Sequence, residues 1–312
     1  MKLIRHVLLR LAIGIGVLWG AATLTFLMVN VTSGDAAVAI LGGPDALPTP
    51  DALARVRSEY GLDQPIMVRY GRYVEHLARG DLGESYRLHV PVAQAIRQQI
   101  GPTIRLAIVA AGLAVFSALL FATLTAGRGR SVRSAASGLE LVISSTPSFV
   151  TGILLLIAFS FRWHWFPAAG NEGWRSLVLP AVTLALPLAA VLSQVLRSEL
   201  DEVLEQPFIA MARARGLSEA GVKIFHALRH ALIPLVTLSS FVLAGLLGGA
   251  VIAESLFSRQ GIGRLMLDAT TNKDIPVVLG VTLMAAFVYV IVNFLVDLAN
   301  VAIDPRLADE AR

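Results

Sequence analysis

The chain has 312 residues, of which 55% are hydrophobic and only 15% charged, with a mean hydropathy of +0.69. Length alone would allow two soluble domains, but this composition is that of a polytopic membrane protein and excludes them. The net charge of +4 forms no concentrated basic face, since only Lys2, Lys223 and Lys273 are lysine and the arginines are scattered; nucleic acid is not expected as a partner, and the absence of cysteine excludes disulfides and thiolate chemistry.

A bilayer core needs roughly 20 apolar residues of helix. Six charge-free windows of that size occur, at 11–34, 106–127, 141–161, 176–196, 231–253 and 275–296. A central charge would cost about 2.5–3.5 kcal/mol on the insertion scale, and backbone groups there have no water partner, so each window is predicted as a transmembrane helix. The fold class is all-α, with three parts: residues 1–34 (tail and first helix), an extracytoplasmic helical segment 35–105, and a five-helix core 106–312 with a cytoplasmic loop 197–230. The first window follows Lys2, Arg5 and Arg10 and exceeds the roughly 7–15 residues of a signal-peptide core. The cleavage-like Ala37-Val38-Ala39 lies beyond Asp35, so the helix is read as retained.

Within 35–105, Thr49-Pro50-Asp51 reads as an N-cap, a proline at N1 and an acid in the first turn, with a stop at Gly61. A second helix begins near Pro65, carries Ile66, Tyr70, Tyr73 or Val74, and Leu77 on one face, and stops at Gly80; a third follows Pro91 with Val92, Ile96 and Ile100 aligned. Two roles remain open: amphipathic helices on the outer membrane surface, or a docking platform for an extracytoplasmic partner.

Arg128, Arg130 and Arg133 after the second span, and Arg197, Arg213, Arg215, Lys223 and Arg229 after the fourth, place those connections in the cytoplasm by the positive-inside rule. Both termini, including the tail from Asp304, then lie inside. His164, between Trp163 and Trp165, sits at a membrane boundary where aromatic belts occur. Pro180 and Pro187 kink the fourth span, either for packing or along a transport path. Gly245, Gly248 and Gly249 form a small-residue pattern for close helix approach; with Glu254 they are assigned to packing or the pathway. Asn293 and Asp297 near the end of the sixth span read as a bundle hydrogen bond or snorkelling.

No lysine follows a glycine, which excludes a phosphate loop of the Walker A type. There is no H-E-x-x-H zinc motif and no G-x-S-x-G elbow. His226 and His230 have i, i+4 spacing but no evident third metal ligand, and read as surface or interface residues. No metal site and no catalytic constellation is expected.

The polar stretch Pro207–Pro234 reads as a structured loop. Pro207 starts a short helix with Phe208, Met211 and Ala212 on one side, Gly216 supplies a left-handed end, and Ser218 caps a second helix with Glu219 in its first turn. Val222, Phe225 and Leu228 align on that second helix, which runs into the fifth span near Pro234.

The run ARARGLSEAGVKIFHALRHALIP resembles the EAA-type cytoplasmic loop of permeases in binding-protein-dependent ABC importers, and more narrowly the B-type permease of the dipeptide, oligopeptide and nickel branch. GLDQPIMVRYGRYV, GDLGESY, TPSFVTGILL, FPAAG, GGAVIAESLFSRQGIGRL and NFLVDLANVAIDPR extend the resemblance over nearly the whole chain. It departs from the broad loop consensus in lacking the acid at Ala210 and a proline at Arg229, and from many relatives in having Arg259-Gln260 where an aromatic-proline pair stands.

The resemblance implies a type I ABC importer permease fold in a bacterial cytoplasmic (inner) membrane, moving small peptides by alternating access; nickel or metal-chelate cargo is the alternative within the branch. It implies a homologous second permease, two cytoplasmic ATPases that bind ATP and Mg, and an extracytoplasmic substrate-binding protein; the chain itself would hold no cofactor and no ATPase site. Gly216 would set the bend, the Phe208–Ala212 side would fill an ATPase groove, and Arg213, Ala214 and Arg215 with Ser218 and Glu219 complete the coupling loop, the two arginines contacting the ATPase or phospholipid. An ion-coupled secondary transporter is a reading of another class, and an intramembrane enzyme a third; internal repeats and intramembrane charges that would favour the former are not evident.

Overall fold

The structure is a computed structural model that describes residues 2–32, 36–41 and 48–303. Asp35, the tail from Asp304, and the side chains of Lys2, Arg5, Pro234 and Asp297 lie outside the described residues. The elements are helices: α1 Lys2–Thr32, α2 Ala36–Ile40, α3 Pro50–Glu59, α4 Ile66–Ala78, α5 Val92–Thr125, α6 Arg130–Ser145 and α7 Ser148–Leu155, which a π-helical segment Leu156–Arg162 continues. They go on through α8 Arg175–Leu204, α9 Pro207–Ala214, α10 Glu219–Gly221, a second π segment Val222–Ala227, α11 Leu228–Ala231, α12 Ile233–Leu256, α13 Ile262–Thr271 and α14 Ile275–Ile303. Among the described residues three helices are long and apolar enough to cross a bilayer, Val92–Thr125, Arg175–Leu204 and Ile275–Val296; the bent pair Arg130–Ser145 and Ser148–Arg162 makes a fourth if its two limbs are one span. Ala12–Met28 and Ala244–Leu256 are shorter apolar stretches.

Two expected elements differ in form. The helix predicted after Pro91 is not separate: it is the start of α5, which runs unbroken through Pro102. One proline removes a single N–H, and membrane helices tolerate that loss. The window 141–161 is broken instead of continuous, with the two limbs 96° apart. Thr146 is extended (φ −81°, ψ 123°), because the ring of Pro147 disfavours helical geometry in the residue before it.

The chain forms two compact units, residues 1–103 with 260–291, and 104–259 with 292–312. In the first, the Thr49 side chain accepts a hydrogen bond from the Ala52 N–H and caps α3. Phe26, Ile275 and Leu279 pack with Tyr70 and Tyr73, and the Tyr70 hydroxyl lies 2.7 Å from Thr23 Oγ1. Asp274, buried, receives Ser85 Oγ at 2.5 Å and the N–H groups of Tyr86 and Arg87 at 3.2 and 3.3 Å, which fastens the loop before α5 to the start of α14.

The second unit is built on α8. Leu106, Ala110, Ala114 and Ala118 on α5 pack against Leu184, Leu188 and Leu192 on α8 and Leu246 on α12. Ala122 and Ala126 continue this every-fourth-residue alanine stripe into a second core beneath the polar loop. Small residues at that spacing let membrane helices approach closely.

Candidate functional site

The polar loop is anchored from within. Pro207 occupies the first helical position of α9, and the chain turns at Gly216, whose φ of 83° is open to glycine and strained for a β-branched residue. Ser218 Oγ then accepts the Gly221 N–H at 3.2 Å and caps the second limb. Across the bend, Arg213 donates to both Glu219 oxygens, Nε at 2.8 Å and Nη2 at 3.3 Å. The guanidinium holds the Glu219 carboxyl below its ordinary value of 4.5. Arg215, Ala214, Ser218 and Glu219 are exposed.

The loop has its own core. Ile209, Ala212, Val222, Ala227 and Ala231 pack with Leu196, Leu200 and Leu204 of α8 and the end of α5. The side expected to face a partner is therefore divided: Ala212 is buried and Phe208 packs inward, 5.2 Å from the ring of His230, while Met211 is 60% exposed. The second limb also differs from a plain helix. Its π-helical turn widens the spacing, so Val222 and Ala227, five apart, face the core, and Phe225, expected beside Val222, is 74% exposed. Met211, Leu217, Ile224 and Phe225 are the exposed large apolar side chains of residues 207–230 among the described residues.

Lys223 entered the sequence analysis only as one of the cytoplasmic charges, with no contact assigned to it. It is buried, and its Nζ donates to the carbonyl oxygens of Thr123, at 3.3 Å, and Ala126 at the end of α5. Burial pushes its ammonium group below the usual lysine range. Helix C-termini expose carbonyls without intrahelical partners, and a cation there is favourable. The neighbouring turn is tied by Asp201, which accepts from the Gly127 N–H and from Arg133 Nη2, both at 2.7 Å. Deeper, Arg197 on α8 donates to Glu140 on α6 at 2.9 and 2.6 Å, Ser193 adds a bond at 2.8 Å, and both charges are buried. A Lys223–carbonyl contact carries no spacing signal; only its isolation as the sole lysine of the loop stood out in the sequence.

At the other end of α12 the small residues separate in role. A Cβ on Gly245 or Gly249 would come within 2.8 or 2.6 Å of Leu188 or Leu184 on α8, whereas one on Gly248 would meet nothing within 4 Å. Glu254 is buried, and its carbonyl accepts the Arg259 N–H at 2.8 Å. Arg259 is buried and donates to Gly170 O at 3.0 Å and Ser176 O at 2.9 Å. Pro180 has no N–H to give the carbonyl four residues before it, and that carbonyl is Ser176. Arg259 supplies the missing donor.

His230 accepts from Arg229 Nε at 3.2 Å. Among the described residues no group of three or more His, Asp or Glu side chains could hold a metal ion. The arrangement as a whole is a bent, internally clamped loop with a stiff base and a small apolar outer face. Such a part suits receipt of a partner protein.

Comparison with known proteins agrees in kind. The family described as binding-protein-dependent transport system inner membrane component matches residues 118–309. A putative peptide transport system permease protein of Brucella abortus (strain 2308) is 38% identical over 310 residues, covering 96% of this chain and 98% of its own. A probable peptide ABC transporter permease protein of Sinorhizobium fredii is 34% identical, covering 97% and 98%. A glutathione transport system permease protein of Salmonella paratyphi A is 34% identical over 307 residues, covering 98% and 99%. A solved amino acid ABC transporter chain shares the fold at a TM-score of 0.50 and 17% identity, over 67% of this chain and 94% of that one.

Proposed function

The chain belongs to the family of binding-protein-dependent transport system inner membrane components, the permeases of ABC importers, and from that premise we propose that it forms half of a channel carrying small peptides into the cytoplasm. The observation that carries the cargo class is similarity along nearly the entire chain to permeases named for peptide and glutathione transport. The other half of the channel is a homologous permease. An extracytoplasmic binding protein delivers the peptide, and two cytoplasmic ATPases bind ATP and Mg and drive the cycle. This chain has no phosphate loop of the Walker A type, and ATP hydrolysis is assigned to the partner ATPases.

The geometry supports a division of labour in the loop. Met211, Leu217, Ile224 and Phe225 enter the ATPase groove, since they are the large apolar groups not consumed by the loop's own core. Arg215 meets the ATPase surface, whereas Arg213 is engaged with Glu219 and acts by stiffening the bend. Closure of the ATPases on ATP moves the loop, and Lys223 together with the Arg197–Glu140 pair carries that motion to α5 and α6. The chain crosses the membrane six times with both ends in the cytoplasm.

The test is reconstitution of the chain with its partner permease, ATPases and binding protein in proteoliposomes, followed by uptake of labelled di- and oligopeptides. ATP-dependent uptake that requires the binding protein is expected. Peptide uptake driven by an ion gradient without the ATPases, or ATP-driven uptake of nickel in place of peptide, refutes the assignment.

A further inference from the structure

The aromatic cluster between α7 and α8 packs Phe159 and Phe166 against Leu256 and Phe257 at the end of α12, but its tryptophans take no part in that core, and its architecture points to a ligand. The limb leading to it carries an exposed large apolar side chain at every fourth position: Phe149, Ile153, Ile157 and Phe161. Its last part, Leu156–Arg162, is π-helical, a geometry frequent at functional sites. The chain then folds back on itself. The N–H groups of Trp165 and Phe166 both donate to Phe159 O, at 2.8 and 3.3 Å, and His164 takes a φ of 54° to make the turn. Trp163 and Trp165 stack at 5.0 Å, each against Phe159. These rings are fixed by backbone and packing, yet Trp163, Trp165 and Trp174 are 51%, 56% and 71% exposed. Beside them lies a cavity of about 700 Å³ lined by Phe161, His164, Trp165, Glu172, Trp174 and Arg175.

Three features of this cavity converge on one occupant. The stripe that ends at Phe161 needs an apolar companion along its length. Tryptophan rings with a polar N–H favour the level where hydrocarbon gives way to headgroups. At that same level the rim presents one charge of each sign: Arg175, with its guanidinium carbon 5.9 Å from the centroid of the Trp174 ring, and Glu172. We propose that this is a phospholipid site. An acyl chain lies along the 149–161 stripe, the phosphate meets Arg175, and the primary ammonium of a zwitterionic headgroup meets Glu172. The proposal rests on the family's membrane location and is independent of the peptide assignment and of which leaflet the cluster faces.

The assembled transporter is placed in nanodiscs of an aminophospholipid whose acyl chain carries a diazirine close to the glycerol, irradiated, and mapped by peptide mass spectrometry. Labelling concentrated on residues 157–175 is expected. It falls about fivefold when choline replaces the primary amine, as for loss of a single charged contact at a membrane surface, and roughly twenty- to thirtyfold in an E172Q/R175Q double variant, which removes both contacts. Labelling around Phe116 and Leu120, an exposed apolar face of α5, stays unchanged in both cases and shows that the variant is assembled and embedded. Equal labelling of the two faces, indifference to the variant and the headgroup, or absence of label on 157–175 because another subunit covers it would overturn the proposal.

Discussion

Gly216 is the single residue on which the loop's direction depends. Its left-handed φ costs a β-branched side chain about 1–2 kcal/mol. A Gly216→Val variant should insert and accumulate normally while ATP-driven uptake falls roughly five- to thirtyfold; uptake at the wild-type rate removes the loop from the coupling path. The Arg213–Glu219 clamp across the same bend has a defined pH limit. Because the Glu219 carboxyl is held below 4.5 by Arg213, its contribution is full above that value and is lost as pH drops through the lower value of the folded state. Hydrogen-exchange protection of residues 213–221 should hold from neutral pH to about 4.5 and decline below it, and an E219Q variant should show no such decline. The Glu140–Arg197 pair is a different case because both partners are buried. Glu140→Gln strands a buried guanidinium, at a cost of about 3–5 kcal/mol. Reduced melting temperature of the purified complex is the readout, with partial recovery in a Glu140→Leu, Arg197→Met double variant.

Among the elements, α12 and α8 form the pair whose fit is most exposed to substitution. Gly249→Val drives a methyl group into Leu184 and should cost about 1–3 kcal/mol, as overpacking generally does. Adding Leu184→Ala should recover part of that loss. Gly248→Val has open space and should leave the stability of the chain unchanged, so a transport defect there would mark a face that meets another subunit. Much at this scale was legible in the sequence. Thr49, Pro207, Gly216 and Ser218 act through bonds to neighbours a few residues away, and such positions declare themselves in a short window. The windows 106–127, 176–196 and 275–296 fell on helices long and apolar enough to span for the same reason, since charge is costly in hydrocarbon wherever the helix packs. The break at Thr146 also had a local sign, Pro147, but a charge-free run hides a proline among its apolar neighbours. The π turn had none. Its widening moved Phe225 outward, and no residue between 222 and 227 announces it.

On the scale of the whole molecule, what stayed illegible was long-range. Ser176 and Arg259 are 83 residues apart, and the vacancy that Pro180 leaves joins them only in three dimensions. Lys223 reaches back 97 residues to Ala126. The departure at Arg259 was visible as a departure, and its purpose was not. The membrane path is likewise not local: among the described residues three helices are long and apolar enough to span, with one bent pair and two shorter apolar stretches beside them. The proposed six crossings with both ends inside predict that a phosphatase reporter is inactive at either terminus and active when inserted near Gly61 or Gly170, whereas a cytoplasmic fluorescent reporter behaves in the opposite way. An active phosphatase at one terminus and not the other would require an odd number of crossings, and activity at both would invert the orientation.

The contact between Lys223 and α5 is made to backbone oxygens. A carbonyl is present whatever amino acid occupies positions 123 and 126. If the loop is driven as proposed, its attachment to the end of α5 is one that mutation of the side chains there does not remove. A permease coupled in the proposed way could drift in the residues that line its passage, acquiring new cargo over generations, without having to reinvent that attachment.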